Sequence, residues 1–151
     1  KIEAGFYYPV IPDSIAVSNQ EYYEYKSEQA IFKGALKDGE PDGVWCVFNV
    51  AGKLLGQFPY GDGKIDGVAP FFYENGDLLA QVTYKNGVIA GYKEFFPDGT
   101  LRTEIVYRKG VRHGTAKFYY NTGHLFCEGR YKNGRQAGKW RYYKVTGEKL
   151  Y

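Results

Sequence analysis

The chain has 151 residues and a formal net charge of +3, and it combines 20 glycines with 16 tyrosines and 10 phenylalanines. This length is enough for one domain, and the abundance of glycine and aromatic residues suits a turn-rich β protein. We recognise no secretory leader in this sequence, and because it has no run of about 20 apolar residues, no membrane-spanning helix is predicted. Because the chain begins at Lys1 rather than Met, we expect a processed or trimmed N-terminus. The compartment therefore stays open between the cytoplasm and export after removal of a leader.

Residues 1–19 lie outside the pattern that organises the rest of the chain. Pro9 and Pro12 argue against a helix or a central strand there. The segment also carries apolar residues that could cover an exposed sheet edge, namely Phe6, Tyr7, Tyr8, Val10, Ile11 and Ile15. Open-ended repeat arrays need such a cover. We predict an N-terminal cap or extension at 1–19 and a repeat array at 20–151.

Residues 20–36 are interpreted as a degenerate first repeat. Tyr22 and Tyr23 stand where later copies have an aromatic pair, and residues 31–36 supply a second strand. The turn at 26–28 lacks the glycine of the later copies. Terminal repeats are expected to be atypical in this way.

Five further copies begin at residues 37, 61, 85, 108 and 132, and the last is shorter than the others. Three sets of glycines recur in them at steps of 23 or 24 residues. The sets are Gly39, Gly63, Gly87, Gly110 and Gly134; Gly43, Gly67, Gly91, Gly114 and Gly138; and Gly52, Gly76, Gly99, Gly123 and Gly147. A fixed period in the twenties is typical of a repeat array.

Each copy is predicted to contain a turn, a strand, a second turn and a second strand. Asp or Asn precedes the first glycine in every full copy except at Lys109, and Asn-Gly and Asp-Gly are strong hairpin signals. Apolar side chains alternate along the strands, as at Leu78, Ala80 and Val82, so one face of the sheet should be buried. We predict an all-β fold, an elongated, twisted antiparallel β-meander of tandem β-hairpin repeats of about 24 residues.

One aromatic column is predicted on the opposite face of the sheet. It consists of Phe48, Phe72, Phe96, Tyr119 and Tyr143. Each member directly follows a column expected to point inward, which consists of Val47, Phe71, Phe95, Phe118 and Tyr142. Such an aromatic ladder either stiffens the sheet through cross-strand pairs or offers an exposed surface to a partner. Both interpretations stay open.

The charge is distributed unevenly along the chain. Residues 1–100 carry 8 Lys and Arg against 14 Asp and Glu, whereas residues 101–151 carry 12 against 3. The predicted basic surface consists of Arg112, Lys117, Arg130, Arg135, Lys139 and Arg141. Such asymmetry favours an anionic partner, namely phospholipid headgroups or nucleic acid, or a head-to-tail contact between molecules. A solvated basic surface that protects the last sheet edge is the alternative.

No set of residues indicates catalysis or metal binding. His113 and His124 are the only histidines, and each stands beside a turn glycine. Cys46 and Cys127 have no Cys or His at metal-ligand spacing and lie three repeats apart. We therefore predict a protein that is not an enzyme and has neither a cofactor nor a metal.

The repeated unit resembles the MORN repeat in its bacterial variant form. One copy supplies Tyr84, Lys85, Asn86, Gly87, Gly91, Phe95, Gly99, Leu101 and Glu104, and a later copy supplies Tyr131, Lys132, Asn133, Gly134, Gly138, Tyr142 and Gly147. The resemblance covers residues 22–151, although the eukaryotic Tyr-x-Gly-x-Trp pattern is missing. It implies a twisted β-meander used as a scaffold, with contacts to phospholipid headgroups in some eukaryotic members and an antitoxin label on many bacterial ones.

These observations together favour a non-enzymatic repeat scaffold that mediates protein–protein interaction, with an antitoxin-like role as one form of it. Extended repeat surfaces suit such binding. The alternative function is binding of anionic surfaces, phospholipid headgroups or nucleic acid, through the basic C-terminal repeats. The identity of the protein partner is not encoded in any motif.

Overall fold

The computed structural model describes residues 23–28 and 30–150, and within these ranges it contains β-strands and no helix. The strands are β1 Tyr23–Lys26, β2 Ala30–Lys37, β3 Glu40–Asn49, β4 Leu54–Gly61, β5 Lys64–Ile65, β6 Gly67–Phe72, β7 Leu78–Lys85, β8 Val88–Phe95, β9 Leu101–Arg108, β10 Val111–Tyr119, β11 Leu125–Lys132 and β12 Arg135–Tyr142. They form one antiparallel sheet in chain order, with the short β5 pairing only with β4. The predicted all-β meander is confirmed. The predicted cap at 1–19 lies outside the described residues.

The first turn of each copy is a tight two-residue loop in which both residues have positive φ. Asn86 and Gly87, for example, have φ of 50° and 82°. Two successive residues with positive φ define the hairpin turn whose twist matches that of the flanking strands. Lys109 adopts φ of 51° at the position where the other full copies have Asn or Asp.

The second glycine of most copies marks a β-bulge. In β10, Arg112 pairs with Tyr107 whereas Ala116 pairs with Ile105, so the register shifts by two residues. The glycines at this position with positive φ are Gly43, Gly67, Gly114 and Gly138. Bulges bend a strand and increase its twist. The bulges thus add to the twist of the sheet at the same point of successive strands. The face that carries Trp45 and Phe58 is called the inner face.

The inner face contains most of the buried residues, including Trp45 and Phe58, which are both 0% exposed. One row of side chains crosses it from strand to strand in the order Gly34, Trp45, Phe58, Ala69, Val82, Tyr92, Ile105, Ala116, Gly129 and Trp140. Trp45 lies against Gly34 and Trp140 against Gly129, where an added Cβ would overlap the indole ring. Large side chains therefore fit because small ones face them, which gives the close packing of a protein interior.

The third full copy differs from the others by one residue. Gly91 and Gly99 are eight positions apart, whereas the corresponding glycines elsewhere are nine apart. Gly91 accordingly lacks a positive φ, and the register of β7 and β8 shifts by a single residue, from Tyr84–Ile89 to Thr83–Gly91.

This deletion corrects the predicted columns. Phe95 pairs with Leu101 in the same way that Phe48 pairs with Leu54, so Phe95 occupies the ladder position. Glu94 takes the inward position predicted for Phe95, and Phe96 begins the following turn, where its backbone N–H donates to the Thr100 carbonyl. The predicted placement of Phe96 in the ladder is therefore wrong. The prediction assumed the same distance from the second glycine as in the other copies, and the third copy lacks one residue after Gly91.

Candidate binding surfaces

The aromatic ladder, with Phe95 in place of Phe96, runs along the outer face, which is the face opposite the core. Its members Phe48, Phe72, Phe95, Tyr119 and Tyr143 are all half-buried. Each of the first four pairs with a leucine on the next strand, as Tyr119 does with Leu125. These rings stiffen the sheet through such pairs and still present part of their surface to solvent.

Phe96 lies against Arg102, whose guanidinium carbon is 5.4 Å from the centre of the phenyl ring. Its counterparts in neighbouring copies are Tyr73 and Tyr120, which also follow a first strand. Each of these two tyrosines donates a 2.8 Å hydrogen bond to a backbone carbonyl of the next copy, at Phe95 and Tyr143. This position therefore holds adjacent copies together.

Beside the ladder, the outer face from β3 to β7 forms an uncharged strip. It consists of Val44, Cys46, Gln57, Pro59, Val68, Pro70, Gln81 and Thr83. Val44 is 56% exposed and Val68 is 50% exposed, so these apolar side chains stand free on the surface. Exposed contiguous apolar surface marks interaction sites more often than isolated apolar residues do.

At the other end of the outer face lies a basic cleft. Lys117, Arg130, Lys139 and Arg141 surround one carboxylate, Glu128, in a cleft of about 260 Å³. Cross-strand pairing places Glu128 opposite both Lys117 and Arg141, while Arg130 faces Thr115. Lys117 also pairs across the sheet with Glu104, so four cations meet two carboxylates and a surplus of positive charge remains.

The last two members of the ladder, Tyr119 and Tyr143, lie beside this cleft. Tyr143 donates a 2.5 Å hydrogen bond to Glu128, and the loss of that bond on ionisation raises the pKa of Tyr143. Burial, followed by the nearby charges of Glu104 and Glu128, raises the pKa of Tyr119. Both phenols therefore stay neutral beside the cations and provide hydroxyl groups for hydrogen bonding.

Two residues predicted for the basic surface lie elsewhere. Arg112 is on the inner face, where its guanidinium carbon stands 4.5 Å from the ring centre of Tyr131. Arg135 is exposed at the start of β12, opposite Lys132, and does not line the cleft. The structure thus brings together four of the six predicted residues.

The uncharged strip was not predicted from the sequence. Strict alternation from the glycine at each bulge assigns Val44 and Val68 to the outer face. The signal for the strip is that the outward positions of these strands carry no charged residue.

The histidines and cysteines lie apart from one another. His113 Nδ1 accepts a 3.2 Å hydrogen bond from the backbone of Asn133. Desolvation lowers the pKa of His113, with further lowering by the charges of Arg108, Arg130 and Lys132. Cys46 and Cys127 are free thiols on opposite faces, and burial raises the pKa of Cys127. Over the ranges 23–28 and 30–150, no cluster of three His, Cys, Asp or Glu residues could hold a metal ion.

Within the described part of the chain, no helix has the length and apolar character needed to cross a membrane.

Two segments of the chain, 65–86 and 112–133, match the MORN repeat variant family. The first spans the end of β5 to the turn after β7, and the second is the corresponding stretch two copies later, so both matches follow the repeat register of the sheet. MORN repeats are generally non-enzymatic modules, and they often bind membranes or proteins. No curated protein sequence matches the chain.

Two solved structures resemble part of the fold. The crystal structure of TarM is 13% identical over 79% of this chain with a TM-score of 0.47, and a mutant of S. aureus TarM in complex with fondaparinux, α-GlcNAc-glycerol and UDP is 12% identical over 78% with a TM-score of 0.48. This chain spans 21% of the length of each TarM chain.

Proposed function

We propose that this protein is a non-enzymatic binding module that holds a protein partner along its outer face. The partner places an apolar segment on the uncharged strip and meets the half-buried rings of the ladder. Inhibition of a toxin by this surface would be one form of such binding.

The observation that carries the proposal is the exposure of Val44 and Val68 within a strip without charges. Transfer of such surface from water into a contact is favourable, by about 25 cal/mol for each Å² of apolar area. Regular strands hold the strip in place, so little ordering of the backbone is needed when a partner binds. Both features favour a protein partner over a small ligand, because the strip extends across several strands from β3 to β7.

The test is capture of partners from cell extract by the protein and by Val68→Glu. A charge at this position would be buried without a counter-charge in the complex, so we expect loss of at least about tenfold in affinity for the captured protein. Direct binding of that protein, once identified and purified, provides the measurement.

Val145→Glu is the matched control. Val145 is 50% exposed, as Val68 is, but it lies in the last turn, away from the strip. Capture that persists in both variants, or is lost equally in both, would contradict the proposal. If the captured protein proves to be a toxin, relief of its toxicity by the wild type and not by Val68→Glu is the corresponding functional readout.

The basic cleft supports a second candidate function, the binding of anionic surfaces. Its four cations exceed the charge of Glu128, and the neutral rings of Tyr119 and Tyr143 lie beside them. Cationic grooves with aromatic side chains hold single-stranded nucleic acid, and cationic surfaces bind anionic lipid.

Titration against single-stranded DNA and against vesicles with and without anionic lipid tests this function. If all four cations contribute to single-strand binding, the logarithm of the affinity should fall with the logarithm of salt concentration at a slope of about −3. Arg141→Glu should abolish binding, whereas Arg135→Glu, an equal charge change outside the cleft, should weaken it only slightly. An affinity that does not change with salt concentration, or that falls equally in both variants, would contradict this second function.

A further inference from the structure

The inner face becomes polar at one place, where the third and fourth full copies meet. Glu94 takes the position that Val47, Phe71, Phe118 and Tyr142 occupy in the other copies. Arg102 stands where Leu55, Leu79 and Phe126 stand, and Arg112 stands where Ile65 and Ile89 stand. Three neighbouring positions that are apolar in most copies are thus charged at one point of the inner face.

The one-residue deletion between Gly91 and Gly99 places Glu94 there, because it turns Glu94 inward. Glu94 lies opposite Thr103, which is only 7% exposed. The Glu94 carboxylate accepts a 2.7 Å hydrogen bond from the Tyr92 hydroxyl and lies 3.3 Å from the Nε atom of Arg102. Tyr92 and Arg102 therefore hold the Glu94 carboxylate in place on the inner face.

A cleft of about 410 Å³ opens at this point, lined by these polar groups together with Ile105, Phe118 and Tyr131. Small-molecule sites measure roughly 300–1,000 Å³ and combine apolar walls with a few polar groups. An apolar cavity of roughly 150 Å³ is enough to hold benzene. The cleft therefore has room for one aromatic ring and its polar substituents.

Arg112 is the cation in this cleft that lacks a carboxylate partner. Its guanidinium lies over the face of Tyr131 at 4.5 Å and donates a long hydrogen bond, of 3.4 Å, to the tyrosine hydroxyl. No carboxylate among residues 23–28 and 30–150 forms an ion pair with it. The aromatic ring fixes the plane of the guanidinium, and the remaining N–H groups are free to form a bidentate contact.

We propose that this inner cleft binds a small organic carboxylate with an apolar body. The carboxylate pairs with Arg112, and the apolar part packs against Ile105 and Phe118. Thr103 and the Tyr92–Glu94 pair offer hydrogen bonds to polar substituents. This site lies on the face opposite the proposed protein-binding surface and does not depend on that function.

A carboxylate matches the charge of this cleft better than a phosphate does. The formal charges of Glu94, Arg102 and Arg112 sum to +1, which one carboxylate neutralises, whereas a phosphate monoester carries nearly two negative charges at neutral pH. The planar fork of a guanidinium also matches the two oxygens of a carboxylate.

Phenylacetate is a suitable probe, because it combines one ring with one carboxylate, and phenylacetamide is its neutral counterpart. Titration of the full chain, followed by amide chemical shifts in NMR, should give saturable shifts centred on Thr103, Arg112 and Tyr131. Phenylacetamide should bind at least about tenfold more weakly, since it lacks the charge-assisted hydrogen bonds.

The variants separate this site from unspecific binding. Arg112→Gln should weaken phenylacetate binding by about tenfold or more, and Arg135→Gln, which removes an equal charge from an exposed position, should leave it unchanged. Glu94→Gln should bind phenylacetate more tightly, because a negative charge leaves the cleft. This second variant keeps the proposal testable if Arg112→Gln does not fold.

Three outcomes would overturn the proposal. These are shifts centred on the outer face, equal binding of the amide and the acid, and unchanged binding by Arg112→Gln. Tighter binding of phenyl phosphate than of phenylacetate would refute the assignment to carboxylates.

Discussion

Gly129 and Trp140 face each other across β11 and β12, and their fit illustrates how single residues fix the core. The indole ring covers the backbone of Gly129, and it also makes an edge contact with Tyr131 at 5.2 Å between ring centres. A glycine in a strand interior normally weakens the strand. Here the absence of a side chain provides the space that the largest aromatic residue fills.

We therefore expect Gly129→Ala to destabilise the fold by about 1–3 kcal/mol, because the new methyl group would force the indole ring from its position. Chemical denaturation monitored by tryptophan fluorescence measures the change. Gly61→Ala is the control, since an added Cβ there meets nothing within 4 Å and Gly61 has no positive φ. A control as unstable as Gly129→Ala would show that loss of glycine itself, and not overlap with Trp140, is responsible.

At this scale the sequence predicts some contacts and not others. The alternation of inward and outward side chains follows from strand geometry, and it places Trp45 and Val82 correctly in the core. The inward turn of Glu94 could not be predicted, because it depends on where the register absorbs one missing residue. The stacking of Arg112 on Tyr131 likewise depends on which face the bulge turns Arg112 toward, whereas the sequence shows only one more cation in a basic segment.

Among the structural elements, the first turns carry the clearest local signal. Their Asn-Gly and Asp-Gly pairs predicted the hairpins, and the structure shows both residues with positive φ. Lys109 departs from this pattern and still adopts φ of 51°. A lysine in the left-handed region is strained relative to Asn or Asp, whose short polar side chains tolerate it.

Lys109→Asn should accordingly stabilise the protein by up to about 1 kcal/mol through relief of this strain. The midpoint of urea unfolding is the measurement, at unchanged dependence on denaturant. The reciprocal change Asn133→Lys, in the equivalent turn of the next copy, should destabilise the protein by a similar amount. Substitutions that both shift stability in the same direction would contradict this explanation.

On the scale of the whole molecule, the period of the glycines was sufficient to predict an open meander of hairpins, because each copy pairs only with its neighbours. The two-residue bulges at Gly43, Gly67, Gly114 and Gly138 were not predicted, because a bulge leaves no signature in the alternation of residues except the glycine itself. The division of the outer face into an uncharged strip and a basic cleft follows the charge gradient along the chain.

Removal of one copy tests how the copies fit together. Deletion of residues 108–131 would bring Ile105 opposite Trp140, whereas deletion of 85–107 would bring Val82 opposite the small Ala116. The first deletion should be less stable than the second by about 1–3 kcal/mol, since it overpacks the inner row. Thermal unfolding of the two shortened proteins measures the difference. Equal stability would show that the contacts between adjacent copies are interchangeable.

The alternation of large and small residues in the inner row also restricts how a gene for such an array can grow. A tandem duplicate of residues 37–60 would set Phe58 against a second Trp45, a pair that already meets on β3 and β4. A duplicate of 61–84 would likewise set Val82 against Ala69, which already meet on β6 and β7. A duplicate placed beside its parent therefore repeats pairs that the sheet already contains, whereas a copy inserted elsewhere creates new ones, so the order of the copies is itself inherited information.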